Sequence, residues 1–225
     1  MAMTPDQRLD AAIGAAGGAP DASKLDALAA AAREELARQP VARRWWVDGL
    51  LVFGFTALVG IGGVFGLSWQ EQQHGSSFTK FGVAAAWAVL MTLGSLAWLR
   101  PGRPSSRVLV LGGFAVAALL TLLGASGVSN AGPFTAGLAC ALTEVVVSLL
   151  PVALVLAVST RFSANALHVV AGALAASSGA ALVLHFHCGN GTAAHIVTWH
   201  LLPAVVVAAL AALLRARLRS RTFAP

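Results

Sequence analysis

The chain has 225 residues, of which 57% are hydrophobic and only 11% charged. Water-soluble domains carry about 25% charged residues, so this composition excludes an ordinary soluble domain and points to a chain folded in lipid. The formal net charge of +6 reads as charge that orients helices at a membrane, not as a nucleic-acid footprint.

Residues 1–23 are rich in Ala, Gly and Pro. Acidic Asp6, Asp10 and Asp21 and the lack of a short apolar core argue against a signal peptide. A clearer helix is expected next. Asp21 or Ser23 caps it, and Leu25, Leu28, Ala29, Ala32 and Leu36 recur at helical spacing before Pro40 stops it. A helix of about 15 residues is marginal alone in water, so its apolar stripe needs a partner. The bilayer surface, the protein's own bundle or a cytosolic protein would each serve.

Six apolar runs approach or reach the roughly 20 residues that cross a bilayer: about 46–68, 82–99, 108–128, 135–158, 166–185 and 196–214. Arg43 and Arg44 followed by Trp45 and Trp46 mark the cytosolic edge of the first. Asp48 is expected to stay hydrated there or to meet Arg44. The fifth run, with its AGALAASSGAA stretch, is expected to be the central helix, because small residues let helices approach closely in lipid. Fourteen of the fifteen Lys and Arg fall in the N-terminal tail, the 100–107 turn, Arg161 and the C-terminal tail, leaving only Lys80 for the other side. Alternation over six spans then puts both termini in the cytosol. The expected fold is an all-α integral membrane protein, a six-transmembrane helix bundle with a short cytosolic N-terminal helix. Its parts are a cytosolic tail (1–44), a transmembrane domain (45–214) and a basic cytosolic tail (215–225).

The polar residues cluster at the expected outer face. Residues 185–200 read HFHCGNGTAAHIVTWH, with four of the six histidines and no Lys, Arg, Asp or Glu. Cys140 lies about 10 Å along the fourth run from its outer end, at a depth similar to Cys188. The pair is either a disulfide, permanent or reversible, or two buried thiols acting as small apolar groups. Glu144 sits one turn below Cys140, as a proton-responsive group or as an interior hydrogen-bond partner. His187, His195 and His200, with Cys188, offer ligands that zinc or copper accepts. Yet their spacing matches no defined metal motif, and His195 and His200, five apart, fall off one α-helical face. No cofactor is called for beyond that possible metal ion. No nucleotide loop, paired carboxylates or nucleophile–base arrangement is present, so no enzyme is expected.

The segments GLACALTEVVVSLLP (137–151), LHFHC (184–188) and TWH (198–200) resemble the NrsF family of bacterial membrane anti-sigma factors, and the tail KLDALAAAAREELARQPV is similar to that family's tail. The layout is also similar to the six-spanning CarR anti-sigma factor. The resemblance implies six spans and two characteristic cysteines, here Cys140 and Cys188. It implies a partner, an extracytoplasmic-function (ECF) sigma factor, held by a tail helix on Leu25, Leu28, Ala32 and Leu36, with no direct contact to nucleic acid. It also implies residence in the bacterial inner membrane and signal sensing at Cys140 and Cys188, and Glu144, one turn below Cys140, is expected to take part in that sensing. The competing expectation is a membrane redox, metal or haem-binding sensor, or a small transporter.

Overall fold

The computed structural model describes residues 26–27, 29–31, 33–34, 45–67, 76–100, 104–129, 133–161 and 164–218. Two units are distinct, residues 1–42 and 43–225. In the first, the described residues are helical and exposed. Leu25, Leu28, Ala32 and Leu36, the expected docking stripe, lie outside the described residues.

The second unit is a bundle of six helices: α1 (Trp45–Gly66), α2 (Ser77–Ala97), α3 (Pro104–Leu123), α4 (Pro133–Ser159), α5 (Ala166–His187) and α6 (Ala193–Arg217). Each is long and apolar enough to cross a membrane. Among the described residues there is no strand; an antiparallel bridge joins Ser129 and Asn190. The outward surface is apolar: Phe65 is 76% exposed, Leu109 72% and Leu58 69%. So large an apolar surface requires lipid, not water, as its neighbour.

Composition decides which helix is central. α5 is buried along almost its whole length, from Val169 to Phe186 apart from Val170. Its middle stretch, 171–181, is Ala, Gly and Ser apart from Leu174, so neighbours approach on all sides there. The Cα of Gly179 lies 3.3 Å from where a Cβ on Gly60 of α1 would stand. A Cβ on Gly172 would lie 2.8 Å from the Trp98 ring and 2.9 Å from Val155 Cγ1. Trp98 and Val155 are both fully buried. The expected central helix is therefore the observed one.

Two boundaries differ from the apolar runs, each for a local reason. α2 begins at Ser77, not near 82, because Ser76 caps it: its side chain accepts from the Thr79 N–H, and the Thr79 hydroxyl accepts from the Ser76 N–H. α3 ends at Leu123, not near 128, because residues beyond it turn away through Gly127 at φ 74°. There the chain pairs with the loop after α5: the Gly127 N–H donates to the Gly191 carbonyl at 2.9 Å, and the Gly191 N–H to the Val128 carbonyl at 2.8 Å.

The far end of α4 is held by two arginines. Arg161 Nη1 donates to the Asp48 carboxylate at 2.7 Å, joining the stretch after α4 to the first turn of α1. Arg215, 6% exposed, donates from Nε and Nη2 to the Ser159 carbonyl and from Nη1 to the Leu218 carbonyl. A guanidinium suits that place, where the last carbonyls of a helix carry partial negative charge and lack partners. α6 runs on through Arg215 and Arg217, with Arg215 buried and Arg217 exposed.

Candidate functional site: a thiol and imidazole cluster at one end of the bundle

Three elements meet at the other end of α4. α4 supplies Cys140. Cys188 follows the last residue of α5, where its N–H still bonds the Leu184 carbonyl. α6 supplies His195 and His200. One ligand atom from each of these four residues lies within 4.8 Å of every other. Cys140 is half-buried and the other three are buried.

The loop between α5 and α6 is fixed by its polar side chains. Asn190 donates to Ser129 Oγ at 2.9 Å and accepts from the Thr192 N–H and hydroxyl. Thr192 in turn caps α6, accepting from the His195 N–H. Each residue positions the next, and the chain of bonds ends at the His195 backbone N–H.

His200 joins His195 through a change of helical pitch. Val197–Leu201 is a π-helical turn, and the Leu202 N–H bonds the Val197 carbonyl five residues back. A regular α-helix sends residues i and i+5 to different faces. The widened turn returns them to one, with ring centroids 5.3 Å apart at 81°. π-bulges of this kind occur often at functional sites. Trp199, in the same turn, lies flat on Gly137 of α4, where any side chain would strike the ring.

The Cys140 thiol donates to Cys188 Sγ at 3.5 Å, and His195 Nε2 lies 3.3 Å from the same sulfur. The bond from Cys140 draws the Cys188 thiol well below its usual pKa, opposed by burial and helped by the His200 imidazole. In reduced, metal-free protein, its alkylation by a small neutral reagent should fall less between pH 8 and pH 6 than that of an ordinary thiol. A lowered pKa keeps more of the reactive thiolate at the acid end of that interval. An ordinary thiol, pKa about 8.5, would slow about 75-fold over the same interval. A steep fall with pH, read by mass spectrometry, would contradict the depressed value.

The expected site residues divide as follows. Cys140, Cys188, His195 and His200 are brought together. Glu144 is fully buried one turn below Cys140, with Ser148 donating to Oε1 at 3.3 Å; Oε2 finds no partner among the described residues. His187 stands outside the cluster, its Nε2–H donating to the Val64 carbonyl of α1 at 3.1 Å. His185 similarly donates to the Lys80 carbonyl of α2 at 2.7 Å. Both rings serve as hydrogen-bonding links between helices. Asn190, Thr192 and Ser129 were missed as site residues, although the Asx and Thr pattern before a helix is a readable cap signal.

A family model described as NrsF, negative regulator of sigma F, matches residues 28–219. The chain belongs to the NrsF family. It is thus a negative regulator of a sigma factor. No curated protein and no solved structure is significantly similar to it. The NrsF match takes in all six helices and every member of the cluster.

Proposed function

We propose that this NrsF protein is a multi-pass inner-membrane anti-sigma factor with both termini in the cytosol. Its N-terminal tail holds an ECF sigma factor away from RNA polymerase and lets it go when a signal arrives at the thiol–imidazole end. The protein acts by binding and not by catalysis. The observation that carries the reading is the family match over residues 28–219 on a bundle of six bilayer-length helices. The sign of the loops supports the orientation, since the thiol end is bare of arginine.

The helix pattern of Leu25, Leu28, Ala32 and Leu36 supports the tail as the docking element. Each buried leucine contributes about 1.5–3 kcal/mol, while association costs about 4–15 kcal/mol. Three leucines do not hold a sigma factor alone, so either the tail wraps more surface than the stripe or the basic turns help attract an acidic sigma surface. Oxidation of Cys140 and Cys188, or a metal ion at the four-group cluster, is the trigger, with Glu144 beneath it. α4 provides the route inward. It begins beside the cluster and ends where Arg215 and Arg161 bind it to α6 and α1. The tail enters α1 four residues before Asp48, at Arg44. A signal acts only by favouring one packing of these helices over another.

Leu28→Asp tests the docking element. The substitution should weaken sigma-factor co-purification by about 10–100-fold, from lost burial and an unpaired charge. Transcription from the sigma-dependent promoter should rise with membrane levels of the variant unchanged. Full repression by that variant would rule out the tail as the holding element.

A further inference from the structure

We propose that Cys140, Cys188, His195 and His200 bind one divalent d10 cation, of which zinc is the type, as a four-coordinate S2N2 centre tying α4 and α6 to the end of α5. This deepens the sensing half of the reading above, and rests on it only for what occupancy does to the sigma factor.

The first support is geometry. Zinc binds thiolate sulfur at about 2.3 Å and imidazole nitrogen at about 2.0–2.1 Å, tetrahedrally. Those lengths set the edges of the tetrahedron at about 3.8 Å between sulfurs and about 3.6 Å from sulfur to nitrogen. Here the two sulfurs are 3.5 Å apart and Cys188 Sγ is 3.3 Å from His195 Nε2. No pair in the group exceeds 4.8 Å, so small side-chain rotations complete the shell.

The second support is an unmet group. His200 is 5% exposed, and its Nε2 has no hydrogen-bond partner among the described residues. A buried ring nitrogen without a partner is costly. A cation at the cluster supplies what it lacks.

The third is charge. Two thiolates and two neutral imidazoles around a divalent ion sum to zero. The stretch from His185 to His200 contains no Lys, Arg, Asp or Glu; the ionisable groups packed near it are Glu144, buried one turn below Cys140, and Lys80, over the Phe186 ring. A neutral centre is the one that a poorly polar bundle end accepts without an unpaired charge. A monovalent soft ion would leave one negative charge there. Hard cations such as magnesium and calcium take oxygen ligands, which the cluster lacks. Loading releases the thiol protons still bound, so affinity rises with pH.

The test uses the full chain, purified in detergent, reduced and stripped with a chelator. Cobalt(II) as spectroscopic probe should give the strong visible bands of a tetrahedral centre and a thiolate-to-cobalt charge-transfer band. Zinc should bleach both at one equivalent. Cys140→Ser and His200→Ala should each weaken zinc binding by about 100-fold or more, while His187→Ala should leave it unchanged. Zinc should also slow alkylation of both cysteines. Absent cobalt bands, unchanged zinc affinity in Cys140→Ser or His200→Ala, or a preference for copper(I) with no response to zinc would each overturn the proposal. A chain that binds no metal yet still needs both cysteines for induction overturns this site and leaves the anti-sigma reading intact. A chain that loads zinc at these four residues yet regulates no sigma factor does the reverse.

Discussion

Gly172→Leu should disrupt the bundle more than any exposed substitution of the same kind. A Cβ there would already stand 2.8 Å from the Trp98 ring and 2.9 Å from Val155, and both are fully buried with nowhere to retreat. Overpacking of this sort costs about 1–3 kcal/mol and sometimes more. For a chain of this size that is about 2–12 °C of thermal midpoint. Gly62→Leu in α1 is the internal control, because nothing lies within 4 Å of its Cβ position. It should leave the midpoint unchanged or slightly raised, since glycine is a poor helix former. Equal loss in both, measured by thermal scanning in detergent, would show that α5 is not packed as described.

Arg215→Lys should be costly even though the charge is kept. The guanidinium reaches the Ser159 and Leu218 carbonyls together, with three donors in a fixed plane. A lysine ammonium is a single point and cannot hold both in the same geometry. The Ser159 carbonyl is buried, and losing its hydrogen bonds costs about 1–3 kcal/mol. Arg217→Lys, at an exposed position one turn's fraction away, should change nothing. If the two lysine variants unfold together, the clamp at the end of α4 has no energetic weight.

How much of this was legible in the sequence differs by element. The six helices follow from apolar run length. The place of α5 follows from its small residues, a property that acts locally and so can be read locally. The meeting of Cys140 with Cys188 was open, because depth along a helix is readable but the rotation of neighbouring helices is not. The spacing argument against His195 and His200 acting together fails here: five residues do not return to one face of an α-helix, but they do across a π turn. Nothing in VTWHL announces that turn. The role of Arg215 was hidden by its company, since Arg217, Arg219 and Arg221 make it look like one more basic tail residue. Only packing shows that it faces inward while Arg217 faces out.

The π turn in α6 acts as a one-residue phase shift built into the helix. Its buried positions run His195, Ile196, His200, Ala204, Ala208, Ala211 and Arg215, and the π turn lets His195, five residues before His200, share its face beside Ile196. Deleting one residue between Val197 and Leu201 would let the helix close to ordinary pitch, and everything on one side of the cut would swing by about 100° relative to the other. The imidazoles and the guanidinium clamp could then not both face the core. The two ends of this helix share one frame, kept in step by a single inserted residue.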